Sequence, residues 1–324
     1  MDAATPDGAH TRRAVLAVLG AAVLFGTTGT AQALGPSGTT PLGVGSARIV
    51  IGGAGLLAVL PWVGGRRGDA VALWRTRWGL LAGVTTAVYQ VCFFAAVHRA
   101  GVALGTLVTI GSGPVIAGLL SWVLLKDRPR SSWAVATGVC VLGLALLIGS
   151  GATQPDVDPG GLLLALASST GYALYTVAAK RLMNGGHRSD EVMAAAFGLG
   201  GLLLAPVLLT QPLAWLGSGS GLAMALWLGL ATTTAAYVLF GRGLRHLPAG
   251  PVTTLVLAEP VVATVLGVLV LGEHLAVLGW LGAVLVLAGL ALQGVASTRA
   301  SRSPDGVGPG GGGRGGAAGG QSLL

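Results

Sequence analysis

A chain of 324 residues with 53% hydrophobic and only 9% charged side chains and a mean hydropathy of +0.78 does not fold as a water-soluble domain, whose charged share is nearer a quarter. Its formal net charge of +8 would suit nucleic acid if the basic residues formed a soluble patch. They fall instead between long apolar runs, which reads as membrane topology, so the lipid bilayer and not nucleic acid is the expected partner.

Residues 1–13 read as a disordered cytoplasmic N-terminus ending in Arg12-Arg13. The first apolar window, Ala14 to Leu34, has a basic start and a cleavage-like Ala31-Gln32-Ala33, the pattern of an export signal. A counterpart of this window later in the chain argues that it is a retained span. Nine further windows follow: Pro41–Trp62, Trp78–Val97, Val102–Leu125, Trp133–Gly149, Gly160–Ala179, Val192–Thr210, Leu222–Gly241, Ala249–Leu271 and Leu275–Ala296. Each is long enough to cross hydrocarbon as a helix, and the high glycine content suits close helix packing there. The fold expected is an all-α integral membrane protein of ten transmembrane helices. Residues 150–159 form an extracytoplasmic linker, and residues 297–324, rich in Gly-Gly, a flexible cytoplasmic tail. Cys92 and Cys140 lie inside apolar windows without metal-ligand spacing, so they read as packing residues, and neither a metal nor a cofactor is expected.

Orientation follows from Lys and Arg. With the N-terminus inside and the chain alternating, all of the 19 basic residues except Arg48 and Arg99 fall at the inside ends or within the inside loops. Asp156, Asp158 and Glu273 fall outside. Both termini are therefore placed in the cytoplasm and the protein in the plasma or inner membrane.

The halves repeat. At an offset of 146 positions, Arg99 meets Arg245, Ala103 meets Ala249, Pro114 meets Pro260, and Asp127 meets Glu273. At an offset of 145, Gly53 meets Gly198, Gly55 meets Gly200 and Pro61 meets Pro206. The third and eighth spans share Thr-Thr-Ala-x-Tyr, from Thr85 to Tyr89 and from Thr233 to Tyr237. The two five-helix repeats cover residues 14–149 and 160–296. Five is odd, so the second repeat is inverted relative to the first, the usual basis of alternating access about a central site.

Two charges lie where charges are costly. Glu259 has ten residues of its window before it and twelve after, roughly 15 and 18 Å, which sets it near the bilayer midplane. Arg48 is seven residues into its span. A carboxylate or guanidinium at such depth is protonated, paired or turned to a wet cavity. Glu259 reads either as a protonated carboxyl bonded to a neighbouring helix or as a proton-coupling group, since burial disfavours the charged form of a carboxyl. Arg48 either snorkels outward or faces the cavity, pairing with a substrate carboxylate or with Glu259. Pro260 deprives the Val256 carbonyl of its helical partner, and Pro114 does so for Ile110, so both mark helix kinks.

These residues resemble the drug/metabolite transporter superfamily, and within it the EamA-like transporter family. The resemblance rests on Leu24-Phe25-Gly26-Thr27-Thr28-Gly29-Thr30, on Ala47-Arg48, on Gly113-Pro114 with Lys126-Asp127-Arg128, and on Glu259-Pro260 with Leu271-Gly272-Glu273. It runs from about Ala14 to Ala296 and implies two five-helix repeats and small-molecule transport, often efflux of amino acids or related metabolites. The sequence departs from strict duplication at Gly113, which stands where the second half has Glu259.

Other polar residues recur at helical spacing: Thr28 with Gln32, Thr86 with Gln90, Thr85 with Tyr89, and Ser168 with Tyr172 and Tyr175. The expected substrate-binding set is Glu259, Arg48, Gln32, Tyr89, Gln90, Tyr172, Tyr175 and Thr28, with Glu259 as the coupling group and no catalytic residue. The function expected is secondary active transport, exporting amino acids or similar small metabolites, with protons as a possible coupling partner. The alternatives are a non-transporting membrane scaffold and an intramembrane enzyme. An ATP-driven pump is disfavoured because no phosphate-binding loop of the G-x-x-x-x-G-K-S/T kind is present. An enzyme is disfavoured because the histidines never fall at ligand spacing.

Overall fold

The structure, a computed structural model, describes residues 6–149, 158–272, 274 and 276–300. Linker residues 150–157 (with Asp156), Glu273 and the Gly-rich tail lie outside the described residues. The ten helices long and apolar enough to cross a membrane are α1 (Pro6–Ala33), α2 (Pro41–Val59, prolonged by a 3-10 turn Leu60–Val63), α3 (Arg77–Ala100), α4 (Val102–Leu125), α5 (Ser131–Gly149), α6 (Pro159–Asn184), α7 (Ser189–Leu209), α8 (Gly219–His246), α9 (Ala249–Leu271) and α10 (Val277–Ala300). This is an all-α, multi-pass membrane protein.

Three boundaries differ from the sequence expectation by five residues or more, and one of them is the end of α8, at His246 instead of Gly241. Residues 6–13, expected to be disordered, continue α1; Pro6 is tolerated in a first turn, where its missing N–H has no helical partner to lose. There the His10 ring stacks on His246 at 6.3 Å. Helix α6 runs past Ala179 to Asn184 because Lys180 is buried within it, its Nζ donating to the carbonyls of Leu244 (2.8 Å) and Arg245 (3.0 Å). A lysine at those last carbonyls of α8 also meets the negative end of that helix.

The turns sort onto two faces. On the face that carries the start of α1, the backbone N–H of Arg66 donates to Glu191 Oε1 (3.0 Å) and Arg188 donates to the Val63 carbonyl (2.8 Å). On the opposite face Arg99 pairs with Asp158 at 2.8 Å, and Thr40 Oγ1 donates to Gln211 Oε1 (2.8 Å). An alternating ten-span path requires this segregation.

Packing follows an internal two-fold. Helix α3 packs on α6 as α8 packs on α1; α4 on α6 as α9 on α1; α3 on α7 as α8 on α2. The pairs α2–α7, α4–α9 and α5–α10 map onto themselves. Most of these contacts join one half to the other. Lipid offers no hydrophobic drive between helices, so close approach through small residues carries the association. In α2–α7 a Cβ on Gly53 would strike the Phe197 backbone, and one on Gly201 would lie 3.0 Å from the Ile49 carbonyl. In α5–α10 a Cβ on Gly282 would overlap the backbone of Leu147, and one on Gly143 would lie 2.7 Å from the Gly282 carbonyl.

Two spans are irregular. In α8 the stretch Trp227–Ala235 is a π-helix. In α9 the helix stops at Leu255 and restarts at Ala258. Pro260 cannot donate to Val256, and the Glu259 N–H takes its place at 2.8 Å, so that carbonyl is not left without a partner. At Pro114, α4 continues as one helix; a helix absorbs a proline ring by bending as well as by breaking. Helices α4 and α9 end at repeat-related positions in left-handed conformation, Lys126 (φ 61°) and Gly272 (φ 70°). The lysine accepts a conformation that costs a non-glycine residue about 1–2 kcal/mol.

The α5–α10 crossing yields a paired test. Gly282→Leu forces a side chain into backbone that cannot yield and is expected to cost at least about 1–3 kcal/mol. Gly138→Leu, on the same pair of helices but with nothing within 4 Å of its Cβ position, is expected to be neutral or to gain up to about 1 kcal/mol from helix propensity. Thermal unfolding of the purified protein in detergent checks both, and equal melting points would refute the crossing.

Candidate functional site

Between the two halves lies a cavity of about 160 Å³, the size of interior space that accommodates a benzene-sized solute (about 150 Å³). Helix α1 contributes Thr28 and Gln32, α2 Arg48, α3 Tyr89 and Gln90, α4 Gly113 and Pro114, α6 Ser168 and Tyr172, α8 Tyr237, and α9 Thr253 and Glu259. The exposed Gln32 marks its mouth, near the face opposite the start of α1. Towards the other face the buried Tyr175, Phe240, Leu244 and Leu255 fill the space between the helices.

Seven of the eight residues singled out in the sequence line this cavity: Thr28, Gln32, Arg48, Tyr89, Gln90, Tyr172 and Glu259. Tyr175 does not. It is fully buried behind the wall, its ring centroid 5.2 Å from that of Tyr172, 6.0 Å from Tyr89 and 5.7 Å from Phe197. The place expected for it is taken by Tyr237, which the sequence reading left out although the shared Thr-Thr-Ala-x-Tyr string marks it as the counterpart of Tyr89. Phe25, Phe93, Phe94 and Thr109 also line the cavity; as apolar or lone hydroxyl residues in membrane spans they carried no signal.

Arg48 is half-buried and turned to α8, not outward. Its Nε–H donates to Thr233 Oγ1 at 3.2 Å, and Thr233 in turn donates to the Leu228 carbonyl at 2.9 Å, inside the π-helical stretch. One of five guanidinium N–H groups is used in that bond, leaving a fork of donors at the cavity wall. Glu259 sits in the first turn of the restarted half of α9, where the exposed N–H groups and positive dipole end of a helix favour a carboxylate. The ion pairs among the described residues are Arg99–Asp158, Arg188–Asp190 and Arg242–Asp190; Arg48 and Glu259 face the same cavity without joining them. The Thr28 and Tyr172 hydroxyls are buried at this wall with no protein hydrogen-bond partner.

The floor is held by hydrogen bonds between helices. Ser168 Oγ donates to the Tyr89 carbonyl (2.9 Å), joining α6 to α3, and Ser112 Oγ donates to Ser169 Oγ (2.9 Å), joining α4 to α6. Gly26 lets α1 approach the break in α9, since a Cβ there would lie 2.9 Å from the Glu259 carbonyl oxygen. The cavity is largely apolar and carries two opposite charges that form no ion pair among the described residues, with one broken helix and one π-helical stretch beside it; broken helices beside a central site are a recurring feature of secondary transporters.

Comparison with known proteins agrees. The protein named uncharacterized transporter YwfM of Bacillus subtilis is 42% identical over 275 residues, which cover 85% of this chain and 91% of that protein. The threonine/homoserine exporter RhtA of Escherichia coli is 28% identical over 211 residues, 62% of this chain and 68% of that protein. A solved crystal structure aligns with a TM-score of 0.75 over 89% of this chain and 98% of the other, at 22% identity, and shares the fold. The EamA-like transporter family matches the chain twice, over residues 12–149 and 159–294, and the chain belongs to that family.

Proposed function

We propose that this protein is a secondary active carrier that exports a small amino acid or similar metabolite, binding it in the central cavity and exposing it alternately to the two faces. The observation that carries this reading is the pair of opposite charges, Arg48 and Glu259, turned to one cavity without pairing with each other. An amino acid complements such a pair: its carboxylate suits the guanidinium fork of Arg48, and its ammonium suits Glu259. Charge-assisted bonds of this kind are the strong ones. The hydroxyls of Thr28, Tyr89 and Tyr172, with the Gln32 and Gln90 amides, offer the remaining polar contacts. A relative whose name gives threonine and homoserine as exported solutes supports the same class. A scaffold would have no use for two charges held at this depth, where each costs several kcal/mol (about 2.5–3.5 on insertion scales).

The positive-inside rule puts the face that carries the start of α1 in the cytoplasm, and the cell membrane is the location that suits export. On this orientation the mouth marked by Gln32 faces outward, and the solute leaves the site towards the outside. Glu259 is the candidate for proton coupling: it takes up a proton as the solute's ammonium leaves and returns it to the inside.

Flux in reconstituted vesicles tests the reading. Threonine, homoserine and a panel of other amino acids are expected to cross, faster with an opposing proton gradient. Glu259→Gln is expected to abolish the pH dependence. Arg48→Gln is expected to raise the half-saturating concentration at least tenfold, the loss of about 1.5–3 kcal/mol given by one hydrogen bond to a charged group. Unchanged pH dependence in Glu259→Gln removes the coupling role; absence of flux across the panel removes the carrier.

Access to the cavity gives a second test. In a Cys92→Ala background, with Cys140 fully buried, Gln32→Cys is expected to react with a membrane-impermeant maleimide added outside, and Tyr175→Cys to react at least tenfold more slowly. Faster labelling of Gln32→Cys from the cytoplasmic side would reverse the orientation.

A further inference from the structure

A second cavity, of about 240 Å³, opens on the face that carries the start of α1, between the α4–α5 turn, the α8–α9 turn and the end of α10. Its floor holds Gln293, 1% exposed. The Gln293 Nε2 donates to Ser297 Oγ at 3.0 Å, while its Oε1 accepts from no protein group. A buried amide oxygen without a donor costs about 1–3 kcal/mol, so this oxygen is left to accept from a water or a ligand in the cavity.

The rim is of mixed sign, and its charges form no ion pair among the described residues. Asp127 is half-buried; its carboxylate has a 3.5 Å contact from Ser121 Oγ, and among the described residues it joins no ion pair. Desolvation pushes this carboxyl above its ordinary range, and Lys180, Ser121 and Arg130 oppose that only in part. Arg128 and Arg130, exposed on the same rim, likewise form no ion pair among the described residues. Asp127 is set there by the strained Lys126, whose left-handed turn brings the Asp127 N–H back to the Ser121 carbonyl at 3.4 Å.

The two cavities lie in line. On α4, Gly113 and Pro114 border the central one, and Gly118 and Ser121 the second; on α9, Thr253 and Glu259 border the first, and Gly250 and Pro251 the second. About one helical turn, roughly 5 Å, separates them. The indole of Trp133 fills that step. It is wedged against Gly118, where a Cβ would overlap the ring, and against Gly250, where a Cβ would lie 3.1 Å from it. Its Nε1–H donates to Thr254 Oγ1 at 3.1 Å, and Thr254 shares a 2.9 Å hydrogen bond with Thr137.

We infer that this second cavity is a binding site for a small zwitterion on the cytoplasmic side of the path, with Arg128 and Arg130 taking the carboxylate and Asp127 and Gln293 Oε1 the ammonium. A phosphate or an acidic lipid headgroup would satisfy the arginines but would set its own oxygens against Asp127 and bring no ammonium to Gln293. The site's role as a loading vestibule for the central cavity rests on the carrier reading above. Its ligand chemistry does not.

The test uses the full-length protein with Cys92→Ala and Ser132→Cys on the cavity lining, in vesicles that present the cytoplasmic face. The rate of Ser132→Cys labelling by an impermeant thiosulfonate is measured with L-threonine, with 3-hydroxybutyrate, with ethanolamine, with glycerol 3-phosphate, and with and without phosphatidylglycerol in the bilayer. Threonine is expected to slow labelling roughly threefold at two-thirds occupancy, with little effect from the single-charge compounds. Gln293→Leu, and independently the near-isosteric Asp127→Asn, are expected to abolish that protection. Equal protection by 3-hydroxybutyrate or glycerol 3-phosphate, or protection that needs phosphatidylglycerol, would replace the zwitterion with an anion or lipid headgroup and overturn the assignment. So would absence of protection by every compound. Flux without protection would sink this inference alone; protection without flux would sink the carrier and leave the site.

Discussion

Hydrocarbon supplies no hydrogen-bond partner, so a chain that crosses it must satisfy every backbone group from within. Irregular backbone is tolerated there only where it borders protein or a wet cavity, and the two irregular stretches of this protein do so. The π-helical stretch of α8 carries Thr233, which holds Arg48. The break in α9 is followed at once by Glu259, whose N–H replaces the donor that Pro260 lacks. Both charges of the central cavity therefore depend on departures from α-helical bonding. A regular helix in either place would rotate Thr233 away from Arg48 or Glu259 away from the cavity wall.

Against this local irregularity the scaffold is regular and two-fold. The largest contacts between helices come in exchanged pairs, and the glycines that let α2 meet α7 and α5 meet α10 lie on the self-paired crossings. The chemistry is one-sided. Glu259 and Gly113 occupy related positions and both border the cavity; a Cβ on Gly113 would meet only ordinary van der Waals contacts, at 3.7 Å from Ser169 Oγ and 3.9 Å from Tyr172. Arg48 is related to Met193, which is fully buried in the core. Lys126 and Gly272 share a left-handed conformation at a cost only the lysine incurs. A duplicated frame thus holds unduplicated charges, and a bound solute with two different ends has a single orientation in it.

The fold was legible because apolar windows and the placement of Lys and Arg are strong signals for spanning helices, and most boundaries fall within a few residues of the structure. The site was legible where a residue was both polar and deep, as with Arg48, Gln90 and Glu259. It failed where facing had to be decided between neighbours on one helix. Tyr172 and Tyr175 are three residues apart, some 60° around the axis at about 3.6 residues per turn, which suffices to put one ring on the cavity and the other behind it. Helix ends outside the apolar windows were also hidden: the start of α1 and the end of α6 are set by tertiary contacts, His10 on His246 and Lys180 on the last carbonyls of α8, that no local pattern contains. Pro114 and Pro260 read alike, and only α9 breaks.

On the carrier reading proposed above, the packing on the side that carries the start of α1 is the closure a small solute would have to influence. Withdrawing α9 from α5 around Trp133 costs the Trp133–Thr254 and Thr254–Thr137 hydrogen bonds, at about 0.5–1.5 kcal/mol each, besides the contact of the indole with Gly250. The bonds from Lys180 to α8 join α6 to a different helix and need not break in that motion. A ligand shifts such an equilibrium only by its differential affinity for the two states. A zwitterion held by two charged contacts in one state and not in the other supplies that difference, at about 1.5–3 kcal/mol per charged hydrogen bond. Trp133 and its two threonines are the polar part of a closure that also includes the buried Tyr175, Phe240, Leu244 and Leu255.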